Sequence, residues 1–394
     1  MLSLPVVLTV IAWLLLLAIA IPDTVITLEL FAGLRPRPLP APDRPLPTIA
    51  VLVPAHDEAA GITGVLARVL PLLPPQARLL VVADNCTDDT AALARAAGAE
   101  VTERHDPTQR GKGHALAHGR AVLAANPPAV VIVLDADCVP EPGTLARLAH
   151  DAATIGRPVQ ASYLVEPHPT AAPMIQISGF AFLVKNLVRQ AGLARIGAPV
   201  VLTGSGMAFP WADFVAAPLA TDEIVEDLAI GIALARRGSA PRFDPAARIW
   251  TPPAGRGGTL SQRTRWEHGF VATARRVTLP LLREGLTRGR PGLAWLALHV
   301  AVPPLALLLG LNGALVVLLA LAWLAGASIL PLAIGLVLVG LIGLGVVLAW
   351  HRHGREQLRA GALARAPLYL LWKLPIYLKL VRNAETRWIR TDRS

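Results

Sequence analysis

The chain has 394 residues, 54% of them hydrophobic and 16% charged, and carries a formal net charge of +10. That profile excludes a disordered chain and leans towards a membrane protein, and the length allows one large or two ordinary domains. Two cysteines, Cys86 and Cys138, build neither a disulfide framework nor a metal site by spacing, and on the expected cytoplasmic side they are reduced thiols.

Residues 4–22, LPVVLTVIAWLLLLAIAIP, carry no charge, and about 20 apolar residues suffice to cross a bilayer. The stretch lacks the basic start of a cleaved signal peptide, and the following DTVITLELFAG offers no clean small-residue cleavage site. Residues 1–34 therefore read as a retained transmembrane anchor. The next segment, RPRPLPAPDRPLP (35–47), cannot hold a helix or a central strand and reads as a stiff linker.

From residue 48 the pattern alternates. TIAVLVPA is a β-branched run, EAAGITGVLARVL has helical period, RLLVVADN is a second strand, and TDDTAALARAAG is a helix with Thr or Asp caps and Gly98 near its end. AEVTERH, GKGHALAHGRAVLAA and AVVIVLDAD repeat the cycle. Continuous apolar strands alternating with helices predict an α/β domain with a mostly parallel, Rossmann-like sheet covered on both faces, over 48–275. Ligands in such sheets bind outside the carboxyl ends of the strands. Those ends read HDE (56–58), ADN (83–85) and DAD (135–137), an acidic rim on a basic chain; Asp88 and Asp89 are read instead as helix caps.

Asp135 and Asp137 are two apart, so an extended backbone would point both to one side of the strand. Two carboxylates held together resist joint ionisation unless a cation is near, and Mg²⁺ or Mn²⁺ bridging to a diphosphate would supply it. A strand ending in Asp-x-Asp-x-Val also fits a haloacid-dehalogenase-type phosphatase, but about 85 residues of α/β pattern precede it here, and no lysine clearly partners the later acidic pair. The turn after the first strand lacks G-x-G-x-x-G, and RGKGH (110–114) lacks the phosphate-loop spacing, leaving Lys112 either a cation near a strand edge or a solvated lysine.

TDEIVEDLAIGIALARRG (221–238) predicts a helix whose first turn is acidic at Asp222, Glu223, Glu226 and Asp227, as the helix dipole favours. Asp227, at the border of the apolar Leu228-Ala229-Ile230, suits a general base that takes a proton from a hydroxyl. In LSQRTRWEHGF (260–270), Gln262, Arg265 and Trp266 fall at i, i+3 and i+4 of a helix. A guanidinium there can grip phosphate and an indole can stack on a sugar; a membrane-interface helix with an aromatic anchor is the competing reading.

Residues 276–293 form a basic connection. Between residues 294 and 350 the chain is again almost uncharged, long enough for two spanning helices with a turn near Gly326-Ala327-Ser328, or three if Asn312-Gly313 also turns. Arginines flank every span: Arg35, Arg37 and Arg44, then Arg283, Arg288 and Arg290, then Arg352, Arg355 and Arg359. Lys and Arg concentrate on the cytoplasmic side, so two crossings are expected, with the α/β domain cytoplasmic on an inner membrane. The net charge follows from this bias and from attraction to membrane lipid; no nucleic-acid motif is present. Residues 351–394 form a basic tail in which PLYLLWKLPIYLKLVR (367–382) reads as an interfacial helix.

In order, VPAHDEAAGI, VVADNCTDDT, RGKGHAL, VLDADCVP, TGSGMAF, VEDLAIG and QRTRW resemble the membrane-bound family 2 glycosyltransferases of cellulose-synthase-like and poly-N-acetylglucosamine-synthase-like type, which share the GT-A fold. The resemblance implies transfer from a nucleoside-diphosphate sugar, a UDP sugar first among them, with inversion and with Mg²⁺ or Mn²⁺. It implies that Glu58, Asp84, Lys112 and Asp135 bind the nucleotide sugar, that Asp137 binds the metal, and that Asp227 is the base with Glu226 beside it. Gln262, Arg265 and Trp266 would hold the diphosphate and frame the acceptor. Val225 and Cys138 depart from the family pattern, where Thr and a further acid often stand. One plus two spans also resemble ceramide-glucosyltransferase-like enzymes. The implied acceptor is a polysaccharide or a lipid-linked sugar, with room for partner subunits of an export system. A catalytically dead membrane scaffold is the non-enzymatic alternative.

Overall fold

The computed structural model describes residues 3–40, 45–221, 223, 225–253 and 256–382, and the backbone alone for 256–265, 374 and 378–382. The chain divides into two compact units, one of Pro36–Glu166 with Pro199–Phe270 and one of Met1–Arg35, Pro167–Ala198 and the described part of Val271–Ala384. Residues 167–198, expected inside the α/β block, thus join the apolar helices.

Among the described residues, the first unit is built on eight strands: β1 (Ile49–Ala55), β2 (Arg78–Asp84), β3 (Glu100–Arg104), β4 (Val130–Val133), β5 (Val139–Pro140), β6 (Val159–Val165), β7 (Met207–Pro210) and β8 (Arg242–Thr251). Their order across the sheet is β3-β2-β1-β4-β7-β6-β8-β5. β3, β2, β1 and β4 run parallel, β7 runs antiparallel between β4 and β6, β6 and β8 pair in parallel, and β5 closes the edge antiparallel to β8.

Side chains alternate across a strand, so a run of unbroken apolar residues has partners on both faces. Leu52, Val82, Val131, Val133, Met207 and Phe209 pack with Leu116, Leu123, Phe214, Ile230 and Leu234 from helices on one face. The intervening Val51, Val53, Val81 and Ile132 are equally buried. The helix Lys112–Leu123 lies close on the sheet because Gly119 has no side chain: a Cβ there would stand 2.5 Å from Leu52 Cδ1. Strand order reverses at β1, with β2 on one side and β4 on the other, which is where sheets of this kind bind ligands.

In the second unit, Leu4–Gly33, Leu305–Leu324 and Leu330–Gly354 are long and apolar enough to cross a membrane. The turn expected near 326–328 is made by Gly326 at φ +97, outside the range that a side chain tolerates easily. The expected two-helix region begins differently. Pro291–Ala301 is a separate helix that ends before Pro303-Pro304, where ring constraints stop it, and the next begins at Leu305. Asn312-Gly313 does not turn; Asn312 sits inside its helix and its amide donates to Asp23 at 2.8 Å. Gly192 lets the first helix pass closely, since a Cβ there would meet the Glu29 carbonyl oxygen at 2.1 Å. The tail forms a helix over Ala366–Arg382 with Pro375 inside it.

Candidate active site

Asp135 and Asp137 do not lie on a strand. β4 ends at Val133, and Cys138 N–H donates to Asp135 O at 3.0 Å, closing a turn. The extended backbone assumed from the spacing therefore stops two residues early. The turn nevertheless brings the two carboxylates together: one donor atom from each of Asp135, Asp137 and Cys138 lies within 4.8 Å of the others. Cys138 is fully buried, its thiol is pushed well up by burial and then by the charges of Asp137 and Asp135, and it donates to Asp137 Oδ1 at 3.3 Å. A neutral thiol is no ligand for a hard cation, whereas two carboxylates suit Mg²⁺ or Mn²⁺. The donor set thus fits the ion expected from sequence.

Lys112 opens its helix after Gly111, whose φ is +122. Its ammonium bonds Asp135, donates to Gly204 O at 2.7 Å and lies 4.0 Å from Glu226 Oε1. Burial opposes its charge, but Asp135, Glu226 and Asp227 outweigh that and hold it above the ordinary lysine range. The neighbouring Gly113 is required by packing, because a Cβ would meet Leu219 O at 2.2 Å. RGKGH is thus a close-packed bend that delivers one ammonium.

The helix expected over 221–238 starts later, at Glu226, and runs to Arg236. Glu226 and Asp227 therefore occupy its first turn, where the unpaired N–H groups favour negative charge. Asp227 Oδ1 accepts from Leu228 N–H at 2.8 Å. The Glu226 carboxyl is pushed up to about 7 by burial, then by Asp227 and Asp135, against the pull of Lys112. Asp222 lies outside the described residues.

Gly204 is the residue that the spacing alone did not single out. It has φ +94, and a Cβ there would stand 3.4 Å from Asp227 Oδ2, 3.6 Å from Lys112 Nζ and 3.8 Å from Asp135 Oδ2. All three charged groups thus converge on one backbone position. The loop is fixed from behind: Ser205 Oγ accepts from Asp135 N–H at 3.1 Å, and the fully buried Gln160 accepts from Thr203 N–H and donates to Ser205 O. TGSG, with two glycines and two hydroxyls, was the available signal. Gln160, two strands away in the sheet order, left none.

Glu58 and Asp84 belong to a second set, where the loops after β1 and β2 interlock. Glu58 N–H donates to Thr90 Oγ1 at 2.7 Å, and Asp57, at φ +52, accepts from Thr87 N–H at 2.6 Å. Asp84 is buried and its carboxylate takes Arg104 Nη1 at 2.6 Å. The parallel register that faces Asp84 with Arg104 brings this about, and sequence reading passed over Arg104. Trp266 lies half-buried on the helix Arg256–Thr287, which also carries Gln262 and Arg265; the side chains of those two lie outside the described residues.

The family described as "Glycosyltransferase like family 2" matches residues 47–269, more than half of the chain. The chain belongs to that family. As a family 2 glycosyltransferase it is an enzyme of sugar transfer, which removes the phosphatase reading of Asp135. It is 27% identical over 236 residues to the poly-beta-1,6-N-acetyl-D-glucosamine synthase of Staphylococcus aureus, covering 56% of this chain and 54% of that one. The glycosyltransferase therefore spans about half the length of the curated relatives that it matches. It is 39% identical over 100 residues to an uncharacterised glycosyltransferase of Mycobacterium bovis, 25% of this chain and 41% of that one. Among solved structures it resembles a mannosyltransferase from Pyrobaculum calidifontis, in complex with GDP-Man and Mn²⁺, at TM-score 0.60 and 21% identity, over 96% of this chain and 100% of that one. The sheet unit has the GT-A fold.

Proposed function

We propose that this glycosyltransferase moves a sugar from a nucleoside-diphosphate donor to a hydroxyl of a polysaccharide or lipid-linked acceptor, with inversion, at the cytoplasmic face of a membrane. The observation that carries the reading is the convergence of Lys112, Asp135 and Asp227 on Gly204, a backbone position with no side chain to fill the space. Asp137, with Asp135 beside it and also facing the nucleotide, would hold a divalent ion, and a bound Mg²⁺ or Mn²⁺ would supply positive charge to the leaving diphosphate. Asp227 takes the proton of the acceptor hydroxyl as that oxygen attacks the anomeric carbon and the bond to the diphosphate breaks. The first turn of its helix keeps Asp227 in place, and Lys112 offers a charge-assisted bond to a phosphate oxygen. Glu58, Asp84, Gln262, Arg265 and Trp266 are assigned to donor and acceptor binding on the family motifs.

Three apolar helices, the S. aureus relative's polysaccharide product and the Mn²⁺ in the P. calidifontis mannosyltransferase support the membrane setting, the acceptor class and the metal. The test uses the full chain in detergent or nanodiscs, screened against UDP and GDP sugars with Mn²⁺. Asp227→Asn is expected to lower turnover by roughly 10²- to 10⁴-fold, the usual worth of a general base, while nucleotide binding persists. Failure to hydrolyse or transfer any nucleotide sugar, or full activity of Asp227→Asn, would sink the reading.

A further inference from the structure

Asp135 has two claims on it. It is one of the two carboxylates assigned to the divalent ion, and it is already bonded to the ammonium of Lys112. The second anchor of that ammonium, Gly204 O, belongs to a loop held by Gln160 and Ser205. An ammonium has three donors, and two are committed to these partners. Asp135, Glu226 and Asp227 all act on the Lys112 ammonium, so the lysine leaves most readily when another anion takes it over.

We propose that Lys112 is a resident counter-ion that makes capture of the metal conditional on the donor's diphosphate. The inference rests on the proposed role of Asp135 and Asp137 as metal-holding carboxylates. A diphosphate brings anionic oxygens that accept the Lys112 ammonium in place of Asp135, and Asp135 becomes available to the divalent ion. Nothing covalent changes; one ion pair is exchanged for two others. Binding free energies are reciprocal, so the metal raises the affinity for the nucleotide by the same factor as the nucleotide raises that for the metal. A resting enzyme then avoids holding a bare metal beside its acidic cluster.

The test measures Mn²⁺ binding to the full chain in nanodiscs by electron paramagnetic resonance, with and without UDP and, separately, GDP. Wild type is expected to bind Mn²⁺ weakly alone and at least tenfold more tightly with the diphosphate. Lys112→Met is expected to bind Mn²⁺ alone at least tenfold more tightly than wild type, and to lose at least threefold of the gain from nucleotide. Lys112→Arg, which keeps the charge, is expected to restore the wild-type pattern. A Lys112→Met enzyme that binds Mn²⁺ alone no more tightly than wild type overturns the proposal. Should that variant fold poorly, Mn²⁺ without nucleotide is expected to raise its Tm more than that of wild type, and an equal or smaller rise overturns the proposal as well. If wild type binds no Mn²⁺ even with either diphosphate, the metal-holding reading of Asp135 and Asp137 itself falls, a result distinct from any effect of the variant.

Discussion

In the helical unit, Glu29 takes Arg189 Nε at 2.8 Å and Nη2 at 2.7 Å, and His299 Nδ1 lies 2.9 Å from its other oxygen. One carboxylate answers one permanent cation, and all three side chains are buried. In the sheet unit, Lys112 faces three carboxylates, Asp135, Glu226 and Asp227. A third constellation, also in the sheet unit, is intermediate in charge: Asp151 and Asp244 share Arg147, which also donates to Leu39 O at 2.8 Å. Among the described residues, charge balance distinguishes the two groups. The matched group holds helices together. Burial and Asp244 raise the Asp151 carboxyl towards its protonated form, whereas an external cation is the counterpart proposed above for Asp135 and Asp137.

The largest effect that would sharpen this contrast is on the matched group. Arg189→Ala strands Glu29 in a buried position and is expected to cost about 3–5 kcal/mol of stability. Thermal unfolding in detergent reads the loss, and joint replacement of Glu29 by Gln and Arg189 by Met is expected to recover most of it. A variant as stable as wild type would show that the group is not a staple.

The middle effect concerns the proton. The Asp151 carboxyl is pushed up to about 7, by burial first and then by its bond to Asp244 and the charge there. The folded state therefore binds more protons than the unfolded chain between about pH 4 and 7, so stability falls as pH rises through that window and is flat above it, by at most about 4 kcal/mol. Asp151→Asn, an amide that can still donate to Asp244, is expected to make the profile shallower and to leave the part that the raised Glu226 carboxyl contributes over the same window. A wild-type stability that rises across the window would remove Asp151 from the comparison.

The smallest effect isolates the space at the candidate site. Gly204 and Gly238 have φ of +94 and +96, but a Cβ at Gly238 meets nothing within 4 Å. Alanine at either position is expected to cost about 1–2 kcal/mol for the strained backbone. Gly204→Ala alone is expected to lower kcat, because its methyl enters the contacts of Asp227, Lys112 and Asp135. Equal activity of the two variants would mean that the convergence on Gly204 has no part in turnover.

Much of the fold was legible along the chain. The runs at 49–55, 78–84 and 130–133 are apolar on both faces, and only a sheet covered on both sides buries them all, so the parallel core followed directly. Asp135 and Asp227 stood out because charge at the border of an apolar run needs a reason, whereas Lys112, in RGKGH, read equally as a solvated lysine. Less legible was anything that depends on where one element stops: β4 ends before its aspartates, and the acidic helix begins at Glu226 instead of residue 221. Both ends are decided by hydrogen bonds to turns and not by periodicity.

Composition and apolar pattern by themselves determined the long uncharged helices, the α/β alternation and the identity of the charged residues at the strand ends. They did so because burial and bilayer length act on local stretches of chain. Tertiary structure alone decided which of those charges meet. Asp84 is paired with Arg104 through strand register, residues 167–198 leave the α/β block for the apolar helices, and three groups separated by as many as 115 positions, Lys112 to Asp227, converge on Gly204. The physical reason is that an ion pair is fixed by distance in space, and only the packed sheet, with Gln160 and Ser205 locking the glycine loop, sets that distance.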